Sequence, residues 1–383
     1  MAHYKISDVA EEVKDRENNP SESKYDRFVG LEHYVSGDVE ITHFGSTERL
    51  ESAMKVFKAG DILIARRNVY LKRASTVSFD GLTSGDSIVL RAKDPTIARI
   101  LPFVLNTDDF WDYADQYSDG TMSKRLSPKL LLAYEFDLPD DGLEDFADLL
   151  WAANETRNSY RELLRQTDEL VKSQFIEMFG DPIENPNGLT SNLLSDVSEI
   201  MSGITKGRKV KTDKLTHVPY ICTANVQNGY LDWTETKYID ATDDEIEKYS
   251  LESDDLLMIE GGDPDKVGRG YLAGPLPENC IYQNHVFRVR IDKTKVYPEF
   301  LAAYILLPSI KDYFLSCAKQ TTGIATINKK QLSNMPVMYP DLDAQMRYIE
   351  VVRQSDKSKF ELKQAIERVT NLMKSLMQQD FAN

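Results

Sequence analysis

The chain has 383 residues, 41% hydrophobic and 28% charged, with a formal net charge of −16. That is an ordinary globular composition with length for two or three domains. No run of about 18 apolar residues occurs, which excludes a transmembrane helix, and the acidic total argues against a free-standing nucleic-acid binder with a basic face.

The stretch from Met1 to Ala10 lacks the apolar run of a signal peptide. Cys222, Cys280 and Cys317 suit neither a disulfide framework nor zinc-ligand spacing, so the expected compartment is the reducing cytoplasm. The acid is unevenly spread and crowds Asp108 to Asp148. Net charge governs steering at long range, whereas binding depends on the field at the contact surface. A nucleic-acid partner is weakened by this charge and not excluded.

In chain order, the first half sets out a series of segments that the second half repeats. Ile6-Ser7-Asp8-Val9-Ala10 returns as Leu194-Ser195-Asp196-Val197-Ser198, and Phe28-Val29-Gly30-Leu31 as Tyr220-Ile221-Cys222-Thr223. Gly60-Asp61-Ile62-Leu63-Ile64 returns as Asp254-Asp255-Leu256-Leu257-Met258, Leu138-Pro139-Asp140 as Tyr339-Pro340-Asp341, and Leu170-Val171-Lys172-Ser173 as Leu372-Met373-Lys374-Ser375. The order is kept while the offset drifts from 188 to 202. A unit this long is a duplicated domain plus helix, since solenoid repeats are far shorter.

Each half opens with short strands and turns. Asp61–Ala65, Ser87–Arg91 and His285–Arg290 read as strands, and the last two alternate apolar and polar residues as a half-buried strand does. A Pro-Asp pair then precedes a long helix. In the first half Leu149, Ala153, Thr156, Tyr160, Leu163, Thr167 and Leu170 repeat at four and three. In the second half Leu362, Ile366, Val369, Met373 and Leu376 do the same, after a polar interruption from Ser355 to Ser358. This is the heptad seam of paired helices. Each helix of about 36 residues would reach about 55 Å, and helices this polar are expected to pack on each other. Gly180-Asp181-Pro182 ends the first helix.

Motifs for catalysis are missing. Gly261–Gly270 has the wrong spacing for a phosphate loop, and its Asp263 and Asp265 would repel phosphate. There is no nucleophile elbow, no Asn-Pro-Pro-aromatic motif of an adenine methyltransferase, and no pair among the five histidines at metal-ligand spacing. A hydrolase built on Asp263, Asp265 and His285 stays as one alternative. Two basic segments free of acid suggest a contact surface instead. The first holds Arg66, Arg67, Asn68, Tyr70, Lys72 and Arg73, and the second Lys206, Arg208, Lys209 and Lys211. Basic side chains among Asn, Tyr and Gly can hold phosphates and reach base edges. Gln283, Asn284 and His285 before a strand, and Gln320, Thr321 and Thr322 before a helix-like run, add polar groups of the kind that read bases.

Two motifs sharpen this reading. Gly60-Asp61-Ile62-Leu63-Ile64-Ala65-Arg66-Arg67 followed by Asp80-Gly81-Leu82-Thr83-Ser84-Gly85-Asp86 looks like a target recognition domain. So does Glu260–Gly270, with Arg269, followed by Gln283–Val289. With the tandem repeat and the long helices, the chain resembles the specificity subunit of type I restriction-modification systems. The resemblance implies an α+β fold: two tandem α/β target recognition domains joined and spaced by two long antiparallel helices with pseudo-twofold symmetry. The expected division is 1–140, first recognition domain; 141–180, central spacer helix; 181–341, second recognition domain; and 342–383, C-terminal spacer helix.

The resemblance also implies that each domain reads one half of a split site in double-stranded DNA, with Ser84 joining the contact residues above. The helices would dock two methyltransferase subunits, and a translocase or nuclease subunit could join them. S-adenosylmethionine, ATP and Mg2+ would belong to those partners, with no cofactor and no catalysis in this chain. Two further alternatives are a related type IIB-like assembly, and a stand-alone interaction scaffold that dimerises through its helices.

Overall fold

A computed structural model describes residues 2–120, 123–210, 214–321 and 323–381. The chain forms two compact units: residues 1–162 with 363–383, and residues 163–362. Each long helix is therefore divided between the units, a partition that the linear division of the sequence does not follow.

The first unit is organised by a four-stranded antiparallel sheet in the order Ala10–Glu12, Ser87–Ala92, Ile62–Ala65, Ala74–Thr76. Ile62 to Ala65 are all buried, as are Ser87 to Leu90. One face, carrying Ile62, Ile64, Ile88 and Leu90, packs on a helical layer with Ile100, Leu101, Phe103 and Phe110. The other, carrying Leu63, Ala65 and Val89, packs on Val13, Val29 and Phe57, which belong to a second sheet of five short strands and its flanks. The expectation of half-exposed strands thus fails. The polar member of the alternation, Ser87, is buried because Tyr34 Oη lies 2.8 Å and Thr83 Oγ1 2.9 Å from its hydroxyl.

The second unit repeats this plan. Its sheet runs Ser198–Ser202, Val286–Ile291, Leu256–Ile259, Gly270–Leu272. Ile62 pairs with Leu90 and Leu256 with Val289; Ile64 pairs with Ile88 and Met258 with Phe287. The segments recognised as repeats therefore keep their register. The second sheets repeat too, since Phe28 and Val29 run parallel to Leu82 and Thr83, and Tyr220 and Ile221 to Ile281 and Tyr282. At the start of each repeat, Ile6 N donates to Tyr134 O at 3.0 Å and Leu194 N to Met335 O at 2.9 Å.

One polar pair is built into both copies. Asp61, 1% exposed, accepts from Arg91 Nε and Nη2 at 2.7 Å each. Asp255, equally buried, accepts from Arg290 Nε and Nη2 at 2.8 and 2.7 Å. A carboxylate at the mouth of a buried strand needs such a fork, because removing one partner of a buried pair costs about 3 kcal/mol or more.

The long helices span Leu143–Phe179 and Leu342–Phe381. In the first unit the start of the central helix, with Ala147, Leu150 and Ala153, shares a core with Met373 and Met377 near the end of the other. In the second unit Phe175 and Phe179, from the end of the central helix, pack on Tyr348 from the start of the other. The pairing is antiparallel in both. Gly180 closes the central helix at φ +82°, and a Cβ there would stand 2.5 Å from Pro186 Cγ, so glycine is required.

The expected seam holds in one helix and slips in the other. Leu362, Ile366, Val369, Met373 and Leu376 are all at least partly buried, and Ser355 from the polar interruption is buried in line with them. In the central helix Leu149, Leu163 and Leu170 are exposed, while Ala147, Leu150, Asn154, Arg157 and Phe175 face inward. Polar residues hold the inward positions because they have partners there. Arg157 and Arg161 donate to Asp38 Oδ1 at 3.3 and 2.6 Å, and Asn154 Nδ2 donates to Glu40 at 3.1 Å. Burial pushes the Glu40 carboxyl above its ordinary range. The apolar spacing was right at Ala153 and missed the inward face at Leu149, Leu163 and Leu170.

This packing sets a stability order. Met373→Ala should lower unfolding free energy by about 2 kcal/mol, whereas Leu163→Ala should change it by about 0.5 kcal/mol or less. Urea unfolding of the two variants checks this, and equal losses would contradict the inward assignment.

Candidate nucleic-acid interface

The main-chain path at the end of the sheet is the same in both units and brings three loops together. In the first, Arg66 N donates to Asp86 O at 2.8 Å, Leu126 N to Arg66 O at 2.9 Å, and Ser87 N to Ser84 O at 3.1 Å. In the second, Glu260 N donates to His285 O at 3.0 Å, Ile327 N to Glu260 O at 2.8 Å, and Val286 N to Gln283 O at 2.9 Å. Each junction thus joins the segment after the innermost strand, the turn before the neighbouring strand, and the loop before the last short helix. Loops on a rigid scaffold are where binding groups are generally placed.

The first basic segment surrounds its junction. Arg66 is half-buried and donates Nε to Leu126 O at 3.1 Å; burial pulls its guanidinium below its usual range, and Arg125 adds to this. Arg67 is exposed and donates Nε to Asp86 Oδ1 at 2.9 Å. Asn68 adopts φ 55°, and its Oδ1 accepts from Ser123 Oγ at 2.9 Å. Tyr70 is 65% exposed. Lys72 donates to Asp108 at 2.6 Å, and that bond holds the carboxyl below its ordinary range. Arg73 turns inward to Leu31 O and Arg67 O, at 3.1 and 3.0 Å. Ser84 Oγ accepts from Asp86 N at 3.2 Å within its turn.

Sequence reading missed Lys124 and Arg125, which the third loop brings to the same place. Arg125 Nη2 donates to Asp86 Oδ1 at 3.2 Å, and Lys124 Nζ to Asp115 at 2.6 Å. Ser123-Lys124-Arg125 is another basic run free of acid, so the criterion that found the first segment applies to it as well. Its distance along the chain concealed the connection.

The second basic segment behaves differently. Lys206 and Lys209 are exposed, but Arg208 is fully engaged. It donates Nε and Nη2 to Glu245 at 2.6 and 2.5 Å and Nη2 also to Asp240 O at 2.9 Å. This pair pulls the Glu245 carboxyl down to about 2. Lys211 and Thr322 lie outside the described residues, as does the side chain of Thr321.

In the second unit, Gln283 and Asn284 are half-buried and His285 is exposed. His285 Nδ1 lies 2.6 Å from Glu260 Oε2, and Asn284 Nδ2 lies 3.3 Å from His285 Nε2. Arg269 donates to Thr223 O at 3.2 Å. Asp263 is paired with Lys266, and the side chain of Asp265 is outside the described residues. The described hydrogen bonds do not join Asp263 to His285. Among the described residues no group of three His, Cys, Asp or Glu side chains could hold a metal ion, and no single helix is long and apolar enough to cross a membrane.

Residues 189–370 match the family described as type I restriction modification DNA specificity domain. The second repeat thus resembles a type I restriction-modification DNA specificity domain. It is 24% identical over 196 residues to the type I restriction enzyme EcoKI specificity subunit of Escherichia coli (strain K12), a match covering 50% of this chain and 41% of that protein. It is 28% identical over 145 residues to the StySPI specificity subunit of Salmonella potsdam, covering 36% and 31%. The chain thus spans less than half the length of the curated relatives it matches. Its fold is similar, with a TM-score of 0.53, to a chain solved in work on complex assembly and conformational transition of the type I R-M system. Identity there is 18%, and the match covers 99% of this chain and 96% of that one. These relatives of the specificity family are named for recognition and not for catalysis.

The Arg208–Glu245 pair predicts an acid-limb signature. A carboxyl held down to about 2 contributes fully above its ordinary value of 4.5 and loses that contribution as pH falls through the lowered value. Glu245→Gln should therefore flatten the loss of stability between pH 4.5 and 2 in urea unfolding curves. An unchanged slope would show that the pair carries no such linkage.

Proposed function

We propose that this chain is the DNA-reading subunit of a type I restriction-modification complex, with each repeat reading one half of a split site in double-stranded DNA. The observation that carries this reading is the duplicated junction. The same main-chain bonds are built twice, and the side chains mounted on them differ. In the first copy Arg67, Arg125 and Asp86 occupy the places that Gly261, Thr326 and His285 take in the second. A structural device copied for stability would keep its side chains, as the Asp61–Arg91 and Asp255–Arg290 forks do. Tips that change on a constant frame suit two contact surfaces with different targets.

The subunit works in the cytoplasm and adds no chemical step of its own. Two methyltransferase subunits dock on its helical regions and bring S-adenosylmethionine; translocase or nuclease subunits bring ATP and Mg2+ chemistry. Docking on the helices is supported in the second unit by Leu163, Leu170 and Ile176, each more than 40% exposed, and by Phe360 at 62%. Leu163 and Leu170, seven residues apart, lie on one side of the central helix, where a partner helix or domain could cover them. The acidic remainder of the surface limits non-specific DNA binding, while the partner subunits neutralise part of the phosphate charge.

Expressed with the methyltransferase subunit of its host, the chain should place methyladenine within a split motif, one mark in each half on opposite strands, in a long-read methylation map. The purified complex should bind that motif with a steep salt dependence. The double variant Lys206→Ala, Lys209→Ala should weaken binding to all sequences alike and reduce the logarithmic salt slope by roughly 1 to 2. A complex that forms and yields no sequence-specific methylation would sink this reading and favour a protein-interaction scaffold.

A further inference from the structure

Asp86 stands out at the first junction. It is a single carboxylate oxygen shared by two arginines from different loops, at 2.9 Å from Arg67 Nε and 3.2 Å from Arg125 Nη2. Arg67 and Arg125 pair as an isolated antiparallel bridge, and Arg125 N also donates to Asp119 O at 2.9 Å. Their backbones are therefore fixed. Both side chains remain about half exposed, at 51% and 45%. Among the described residues neither Nη of Arg67 has a hydrogen-bond partner, so the end of that guanidinium opposite Asp86 meets no polar group among them. Arg66 stands beside them as a third guanidinium, close enough to Arg125 to feel its charge, with Glu12 and Asp86 as opposing carboxylates.

Three features thus coincide. An arginine is held by its Nε, which leaves the Nη1/Nη2 edge presented. Its rotamer freedom is restricted by a carboxylate, so little is lost on binding. Three guanidiniums stand together in an acidic chain. A planar fork with two parallel N–H donors matches the O6 and N7 acceptors of guanine in the major groove, and no other base edge there offers two adjacent acceptors. A surface arginine with only a structural role would spend its Nη groups on the protein, as Arg73 and Arg208 do.

We infer that Arg67 is a specificity-determining residue of the first repeat, that it reads guanine, and that Asp86, shared with Arg125, is the positioning residue that aims it. The inference rests on the DNA-specificity reading above. The second repeat lacks this device. Gly261 and Thr326 stand where the arginines would be, and Glu260 with His285 occupies the turn.

The test uses the whole complex in cells and a long-read map of methyladenine. The wild-type chain should give a motif with guanine at one or more fixed positions. Arg67→Ala should relax a guanine of one half-site by about tenfold or more and leave the other half-site unchanged. Asp86→Asn should relax the same guanine while the remaining motif stands, which a merely structural role would not produce. Where the alanine variant abolishes methylation altogether, Arg67→Lys decides, because it keeps the charge and loses the fork. Selective relaxation at guanine supports the assignment, and uniform loss at every position overturns it. A wild-type motif that keeps every guanine in all these variants overturns this assignment alone. Absence of any motif with the wild-type chain overturns the specificity reading and the assignment with it.

Discussion

A sheet covered on both faces has no solvent to satisfy its polar groups. In each unit the inner strands lie between a helical layer and a second sheet, so every strand end and every polar side chain on them needs a partner in the protein. That requirement explains the forks at Asp61 and Asp255, the bonded hydroxyl of Ser87, and the strictly retained register of the two copies. It also explains where freedom remains. The turns at the end of the sheet share the same main-chain bonds in both copies, so the side chains mounted on them can differ.

Much of this was legible in the sequence. The repeated segments fall on equivalent strands in identical register, because an apolar run such as Ile62-Leu63-Ile64 can sit only in a doubly buried strand. The long helices were legible from heptad spacing and from the glycine that stops the first. The alternation in Ser87–Arg91 misled, since a polar residue with a dedicated partner can be buried as completely as valine. The central helix misled for the same reason. Asn154 and Arg157 hold inward places by pairing with a loop over a hundred residues away, and spacing rules count only apolar side chains.

The candidate interface was less legible. Composition located the segment from Arg66 to Arg73, but its members have separate fates. Arg67 and Tyr70 face outward, Arg73 turns to backbone carbonyls, and Lys72 is matched by Asp108. The second segment contains Arg208, whose guanidinium is fully engaged by Glu245. A one-dimensional cluster of charge says that basic groups are near one another; only partners in space decide which of them remain to meet another molecule. The third loop, with Lys124 and Arg125, reaches the junction from more than fifty residues away.

The main-chain character of the junction has a consequence for how such a chain changes over generations. A substitution at position 67, 125 or 86 removes no bond that the backbone frame depends on, so the fold imposes little selection there. The forks and the doubly buried strands are the reverse: nearly any change is expensive. Mutational tolerance is therefore concentrated on a few tips and withheld from the frame beneath them. A lineage can explore new side chains at one junction while the other copy, in its own unit, continues unaltered.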